Sequence, residues 1–281
     1  MTPKKATQQL TKQHNRDLVL RTIIENQQIS RADIARATKL TRATVSEVVS
    51  GLMAEGLVEE VGLDTSGNGK PSILLSLVPD SRYLIGLNLG QDKFIGAIVN
   101  LSGEIKETVE VPIVGSDGEK ALQFVYEILN QLLARGWEPI IGIGIGTPGL
   151  VNTREGKVVD AVNLDWEDLP LASLLQERYG LPVSVLNDSQ ATAIGEFVYG
   201  GHRSESNLIV INVKHGIGAG ILINGQLFQG DDGSAGEIGH VRVHGNDLPC
   251  RCGQIGCLET LASAQAVVRR YKELSAEAQL V

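Results

Sequence analysis

Three cysteines, Cys250, Cys252 and Cys257, lie within eight residues and are the only cysteines of the chain. An odd, clustered set is more typical of a metal site than of a disulfide framework. The Cys-x-Cys-x4-Cys spacing supplies three thiolates, and His240 is a candidate for the fourth ligand of tetrahedral zinc. The alternatives are His244 as the fourth ligand, or three reduced cysteines without metal. The pattern predicts a closed Cys3His site in which structural zinc stabilises a loop.

The amino-terminal part of the chain is basic. Residues 1–46 hold nine Lys or Arg and three Asp or Glu, a net charge of +6, whereas the whole chain carries −8. A basic head suits contacts with nucleic-acid phosphates, while an acidic remainder is more typical of a ligand-binding or oligomerisation module. Composition alone leaves open that the basic face has no function.

Three short helices are predicted in this basic head. The first covers residues 15–26, Ser30 and Asp33 form a capping box for a second helix that ends at Ala37, and Thr41 is a suitable N-cap for a third. The apolar residues of the first and third helices recur at helical spacing: Leu18, Val19, Ile23, Ile24, Val45, Val48, Val49 and Leu52. The short turn between the second and third helices is typical of a helix-turn-helix.

Two strands, residues 57–61 and 73–77, follow the helices and complete a winged helix whose glycine-rich tip contains Lys70. The third helix is then the recognition helix. The predicted DNA-binding residues are Thr41, Arg42, Ala43, Thr44, Ser46 and Lys70. The alternatives are a solvated surface arginine at position 42, an ordinary turn lysine at position 70, and a winged helix that docks a protein rather than DNA.

The rest of the chain has the periodicity of an α/β protein. Three successive strands from Tyr83, a helix over residues 118–135 and a buried strand over 140–146 fit the first lobe of an actin-like, ribonuclease-H-like domain. A second α/β stretch begins near Pro182, with strands over 183–186, 208–213 and 218–223 and a helix over 190–199. Two lobes imply a cleft, and such clefts hold small ligands.

Five ordered motifs resemble the ROK family of repressors and sugar kinases, and the match covers the chain from about Asn15 to Ala266. The motifs are Gly142–Gly149, Asn187–Asp188, Gly216–Gly225, Gly236–His240 and Cys250–Glu259. With a winged helix in front, the chain resembles the sugar-responsive transcriptional regulators of this family, of the xylose-repressor and N-acetylglucosamine-repressor type. The resemblance implies the same His240 as zinc ligand.

The resemblance also implies a set of sugar-binding residues in the cleft: Gly149, Asn187, Asp188, Glu237, His240 and Glu259. Carboxylates, an amide and an imidazole suit sugar hydroxyls, which both donate and accept hydrogen bonds. His240 would serve twice, with one ring nitrogen on zinc and the other on a sugar hydroxyl. Taken singly, Glu237 and Glu259 are equally explained as helix or loop caps.

Asp188 stands where the family's kinases keep their general base, so a sugar kinase is the alternative function. The phosphate loops argue against it. The first loop of the kinases resembles Asp-x-Gly-x-Thr, and here the aligned stretch runs from Asn88 to Asp92, with an amide for the first carboxylate and an anion for the threonine. The second loop, Gly-Thr-Gly in the kinases, reads Lys214-His215-Gly216. We therefore expect no catalytic residue.

The sequence predicts a winged helix-turn-helix domain over residues 1–80 and a ROK domain over 81–281, with its first lobe at about 81–180 and its second from about 181. ROK proteins normally continue beyond the point reached at Val281, so we expect an incomplete second lobe, or a shortened form of a longer chain. The expected protein is a cytoplasmic homodimer or higher homo-oligomer that binds operator DNA and a sugar effector, without a membrane segment. A third candidate is a zinc-stabilised docking protein.

Overall fold

The computed structural model describes residues 8–64, 71–113, 118–202 and 205–278. These residues form two compact units. The head unit contains the described residues up to Tyr83 together with Asn100–Glu104, and the body unit contains Leu84–Val99 and the described residues from Ile105 onward. In the described part of the chain, no helix has both the length and the apolar character that a membrane crossing requires.

The head contains three helices, α1 (Gln8–Asn26), α2 (Arg31–Thr38) and α3 (Arg42–Ala54). The predicted caps are confirmed: the Ser30 hydroxyl accepts a hydrogen bond from the Asp33 amide at 3.2 Å, and the Thr41 hydroxyl accepts one from the Thr44 amide at 3.1 Å. The helices surround one apolar core formed by Val19, Ile23, Ile29, Ile34, Val45, Val49, Leu52, Val58 and Leu75. Helix α1 begins seven residues before the predicted start.

Three strands complete the winged helix: β1 (Ile29–Ser30), β2 (Val58–Asp64) and β3 (Ser72–Leu77). They form an antiparallel sheet in the order β1–β3–β2. Leu75 of β3 is fully buried and pairs with Ile29, which attaches the wing to the helical core. The tip of the wing, including Lys70, lies outside the described residues.

The body is built on a five-stranded sheet in the order β11–β7–β4–β5–β6. Its strands are β4 (Tyr83–Leu89), β5 (Lys93–Asn100), β6 (Ile105–Pro112), β7 (Ile140–Thr147) and β11 (Val183–Asn187). Helix α4 (Gly118–Leu133) buries Val125, Ile128, Leu129 and Leu132. Gly96 of β5 permits this close packing, because a Cβ at that position would lie 2.3 Å from a methyl carbon of Ile128.

A small antiparallel sheet, called the arm here, leaves the carboxyl end of β7. It consists of β8 (Leu150–Asn152), β9 (Lys157–Ala161) and β10 (Trp166–Leu169), with a short 3-10 turn over Val162–Leu164 between the last two strands. The buried Trp166 ring donates its Nε1 hydrogen to the carbonyl of Gly118 at 2.8 Å. Helix α5 (Leu171–Tyr179) then leads to β11. The sequence patterns predicted neither the arm nor α5.

Helix α6 (Asp188–Tyr199) lies between the main sheet and a second sheet. The second sheet contains β12 (Leu208–Val213), β13 (Ile217–Ile223) and β14 (Gln226–Leu227). Two glycines allow α6 to approach both sheets: a Cβ at Gly146 of β7 would lie 3.3 Å from Ala191, and a Cβ at Gly220 of β13 would lie 2.4 Å from Ala193. The first turn of α6 also lies close to both sheets: a Cβ at Gly146 would lie 3.6 Å from Cα of Asp188, and a Cβ at Gly218 of β13 would lie 2.5 Å from Oγ of Ser189.

A long loop follows β14 and ends at α7 (Glu259–Ala262), after which α8 (Ala264–Ala278) begins. Residues 240–257 of this connection are called the metal loop here. The loop turns back on itself through two isolated bridges, Arg242 with Cys257 and Pro249 with Ile255. This fold places Cys250 and Cys257 in the interior, each less than 9% exposed.

Candidate functional site

The exposed first turn of α3 carries most of the predicted DNA-binding residues. Thr41, Arg42, Ala43 and Ser46 are exposed, while Thr44 is half-buried and its hydroxyl lies 2.9 Å from that of Thr41. Thr44 is therefore part of the helix cap, since its hydroxyl and its amide both face the Thr41 hydroxyl. Arg42 is the one long basic side chain of this turn, and it extends from the helix end that a recognition helix presents to base edges.

The four predicted metal ligands lie together. Each offers one ligand atom, and the four atoms lie within 4.8 Å of one another: a ring nitrogen of His240 and the Sγ atoms of Cys250, Cys252 and Cys257. His244 is not a member of this group, so the alternative fourth ligand finds no support in the geometry. Burial raises the pKa of the Cys250 thiol to about 12, and the thiol donates to Oε1 of Glu259 at 3.1 Å. A metal would have to displace this proton.

Two of the separations within the cluster match those between ligands of a tetrahedral zinc ion. The Sγ atoms of Cys252 and Cys257 are 3.8 Å apart, and Sγ of Cys250 is 3.6 Å from Nδ1 of His240. With Zn–S of about 2.3 Å and Zn–N of about 2.1 Å, tetrahedral ligands lie about 3.8 Å apart for two sulfurs and about 3.6 Å apart for sulfur and nitrogen. His240 thus presents Nδ1 to the cysteines and keeps Nε2 for another partner.

Two of the predicted sugar ligands stand at the junction of β11 and α6. The Asn187 side chain caps α6 by accepting from the Ser189 amide at 2.9 Å, and its Nδ2 donates to the Gly149 carbonyl at 2.9 Å. Gly149 has a φ of +88°, and a Cβ there would lie 2.1 Å from the carbonyl oxygen of Asp160. Asn187 therefore ties the start of the arm to α6 and fixes the position of Asp188.

The remaining predicted ligands, Glu237, His240 and Glu259, come from the long loop after β14 and from the first residue of α7. Nε2 of His240 lies 3.8 Å from Oε2 of Glu237, and both side chains are about one-third exposed. Burial raises the pKa of Glu237, and the Asp188 and Glu259 carboxylates raise it further, whereas His240 lowers it. Asp188, Glu237, His240 and Glu259 are therefore close enough to affect one another, and they are called the polar neighbourhood here. Three carboxylates and one imidazole form a set of donors and acceptors suited to hydroxyl groups.

Several residues of this region were missed by sequence reasoning. Asn246 is 5% exposed and holds the metal loop together, since its Nδ2 donates to the Cys257 carbonyl at 3.0 Å and lies 2.9 Å from the Thr260 hydroxyl. Gln190 is 2% exposed, and its Nε2 donates to the Gly233 carbonyl at 3.2 Å, which attaches the loop before Glu237 to α6. No local pattern could have found either residue, because each acts through a contact made only in the folded chain.

Comparison with known families decides the classification. The ROK family model matches residues 84–280, and the MarR family model matches residues 18–66. The first match covers more than half of the chain and contains every predicted sugar and metal ligand. The chain belongs to the ROK family. Its fold is an amino-terminal winged helix-turn-helix of MarR type followed by an actin-like ROK domain, as the sequence predicted.

ROK regulators match the chain over most of its length. A xylose repressor of Caldicellulosiruptor bescii is 39% identical over 94% of this chain and 67% of its own length. The crystal structure of a ROK family transcriptional regulator, a homologue of the Escherichia coli MLC protein, superposes with a TM-score of 0.79 at 30% identity, over 96% of this chain and 68% of its own.

ROK kinases match a smaller part of the chain. A glucokinase of Halalkalibacterium halodurans is 36% identical over 67% of this chain and 58% of its own length. The ROK regulators, by contrast, match the head as well as the body. The chain therefore falls among the transcriptional regulators of the ROK family rather than among its kinases.

The two stretches that correspond to the ROK phosphate loops contact each other in this chain. Asp92, in the turn between β4 and β5, has its Oδ2 3.7 Å from Nε2 of His215, which lies between β12 and β13. By the resemblance described above, both side chains stand at positions where a ROK kinase would bind phosphate. A carboxylate in place of a phosphate donor argues against ATP binding, because it would repel a phosphate placed beside it.

A separate depression of about 590 Å³ lies on the arm of the ROK domain. It is lined by Val159, Asp160, Val162, Asp165, Trp166, Glu167 and Asp168. None of these residues belongs to the predicted sugar set, and the Nε1 hydrogen of Trp166 is already donated to Gly118. Four carboxylates without a cation in the lining suit a neutral sugar less well than the mixed set around His240.

Proposed function

We propose that the chain is a sugar-responsive DNA-binding repressor of carbohydrate genes. The observation that carries this proposal is a winged helix with an exposed first turn of α3 in the same chain as a ROK body. The proposed sugar residues of that body, and the substituted residues at the proposed phosphate loops, support it. Binding of a sugar in the body would change the affinity of the head for its operator. The relatives named for xylose make a pentose or hexose the first ligand class to test.

In the head, the proposed DNA contacts are Thr41, Arg42, Ala43, Thr44 and Ser46, with Lys70 of the wing as a further candidate. Arg42 is the residue we assign to base reading, because a guanidinium can donate two parallel hydrogen bonds to guanine. The basic head as a whole supplies sequence-independent attraction to phosphate.

In the body, the proposed sugar contacts are Gly149, Asn187, Asp188, Glu237, His240 and Glu259. The proposed metal is a structural zinc held by His240, Cys250, Cys252 and Cys257, for which the tetrahedral spacing is the support. Zinc at Nδ1 of His240 would leave Nε2 protonated and able to donate to a sugar hydroxyl. We further propose domain limits at about residue 80, a cytoplasmic location and a homodimer on a symmetric operator.

The proposal is tested by the binding of the purified, zinc-loaded protein to genomic DNA fragments of its own source at physiological salt. The binding is repeated with xylose, glucose and N-acetylglucosamine and with their phosphate esters. We expect a small set of fragments to be retained, retention to fall with salt, and one sugar to alter it. A folded, zinc-loaded sample that retains no fragment at any salt concentration would contradict the regulator function.

Replacing Arg42 by alanine is expected to weaken operator binding by about 1–3 kcal/mol and to relax the sequence preference at one base pair, because a bidentate contact to one base is lost. The measurement is a titration of the operator and of its single-base variants at fixed salt. Arg21, an exposed arginine of α1, provides the charge-matched control. Its replacement by alanine should affect all DNA sequences alike. An unchanged operator affinity of the Arg42→Ala protein would refute the recognition-turn assignment.

A further inference from the structure

Arg251 lies between two candidate zinc ligands, Cys250 and Cys252, but its side chain reaches a different part of the molecule. Its Nη1 donates to Oδ1 of Asn163 at 2.5 Å, and Asn163 belongs to the 3-10 turn of the arm. Its Nη2 lies 3.9 Å from Oε1 of the buried Glu259. One guanidinium thus bridges the metal loop, the arm and a predicted sugar ligand.

A glycine makes room for this bridge. A Cβ at Gly216, in the turn between β12 and β13, would lie 2.8 Å from Oε2 of Glu259 and 3.8 Å from Nη2 of Arg251. A larger residue at position 216 would push the Glu259 carboxylate aside. The absence of a side chain therefore lets Glu259 and Arg251 approach this turn together.

The arm that Arg251 holds is itself connected to the predicted sugar residues. Asn163 follows β9, β9 pairs with β8, and β8 begins directly after Gly149. The Gly149 carbonyl in turn accepts from Asn187, the cap of α6. Arg251 therefore lies at ion-pair distance from Glu259, and it is also linked, through Asn163 and the arm, to the hydrogen-bonded pair Gly149 and Asn187.

We propose that Arg251 is a positioning residue that couples the metal loop to the sugar site, an inference that rests on the proposed sugar-binding function. Cys250 and Cys252, held by a bound zinc, would fix the backbone from which Arg251 reaches Asn163 and Glu259. The planar guanidinium donates to Asn163 through one nitrogen and places a second nitrogen at ion-pair distance from Glu259, whereas a lysine has a single ammonium group at the end of a flexible stem. Metal occupancy thereby sets the affinity for the sugar.

A coupling role for Arg251 has measurable consequences that an ordinary surface contact does not have. The Arg251 side chain is 44% exposed. An isolated exposed ion pair of this kind would contribute little to stability or to sugar affinity. A coupling residue, by contrast, makes the effects of the metal and of the substitution depend on each other.

The test is a double-mutant cycle with Arg251→Ala, Asn163→Ala and the double variant, together with Arg251→Lys. Each zinc-loaded protein is titrated calorimetrically with D-xylose, D-glucose and N-acetyl-D-glucosamine, and its zinc content is measured. We expect one bound zinc per chain throughout and at least a tenfold rise in sugar Kd for Arg251→Ala. The double variant should bind sugar no more weakly than the single variant with the higher sugar Kd, and Arg251→Lys should restore only part of the affinity.

Arg270→Ala is the control. It removes an exposed arginine paired with Glu273 at 3.2 Å within α8, and it should leave the sugar Kd unchanged.

A second readout follows from the reciprocity of coupled binding. In the parent protein, saturating sugar should lower the zinc Kd measured by competition with a chelator. Arg251→Ala should reduce this effect to the part that His240, a proposed ligand of both zinc and sugar, transmits by itself. A sugar Kd within twofold of the parent for Arg251→Ala, or independent multiplicative effects of the two single variants, overturns the coupling while sugar binding itself stands. A parent that binds none of the three sugars would instead remove the sugar-binding function on which the coupling rests.

Discussion

Replacing Cys257 by serine is expected to leave the protein without tightly bound zinc and to lower its thermal unfolding midpoint markedly. Cys257 is 1% exposed, and a serine hydroxyl is a far weaker zinc ligand than a thiolate. A metal that binds only the folded state, present at a thousand times its Kd, stabilises that state by about 4 kcal/mol. Zinc content by a colorimetric chelator and thermal unfolding by circular dichroism are the two measurements.

The metal loop is the part of the chain that needs this stabilisation most. Of its apolar side chains, Val241, Leu248 and Ile255 are exposed and Val243 is half-buried, while the buried side chains are those of Cys250, Cys257 and the polar Asn246. Burial of apolar surface therefore gives the loop little stability of its own. Two thiols and an amide in the interior are the arrangement expected where a metal ion takes the place of a hydrophobic core.

The two nearby histidines provide a matched control for the metal assignment. His240→Ala removes the imidazole whose Nδ1 faces the cysteines, and we expect it to weaken zinc binding strongly. His244→Ala removes an imidazole four residues away that is outside the cluster, and zinc content should stay at one per chain. Equal zinc loss in the two variants, or full zinc content in the Cys257→Ser protein, would contradict a site made by these four residues.

The parts of the site that sequence reasoning predicted are those fixed by local spacing. The three cysteines and His240 lie in one short stretch, so their types and intervals alone indicated a metal site. The strands over Tyr83–Leu89 and Leu208–Val213 have the predicted bounds, because runs of apolar and β-branched residues bounded by turns define strands.

The parts that were missed depend on tertiary contacts or lack a periodic signal. Asn163 and Arg251 are 88 residues apart, and neither type nor spacing indicates that they meet. The arm strands have three to five residues each, too few for a reliable alternation. The first turns of α1 are polar and exposed, so they extend the helix by propensity and not by an apolar face.

Replacing Gly236 by alanine is expected to destabilise the body by about 3 kcal/mol and to reduce sugar affinity at least a hundredfold. Gly236 has a φ of +98°, and a Cβ there would lie 1.9 Å from the carbonyl oxygen of Ala219, a buried residue of β13. The Gly236 carbonyl also accepts from the Ala219 amide at 2.8 Å. The added methyl group must therefore separate this segment from the sheet.

The separation would displace the predicted ligands that follow directly. The amide of His240 donates to the Glu237 carbonyl at 3.1 Å, so the two residues move as one turn. Gly180→Ala is the matched control: Gly180 has a φ of +66° at the end of α5, and an added Cβ would meet no heavy atom within 4 Å, so this change should cost about 1 kcal/mol without altering sugar affinity. Calorimetric sugar titration and chemical unfolding of both variants make the comparison. Equal stability losses and unchanged sugar affinity in both would show that the contact between Gly236 and β13 does not position Glu237 and His240.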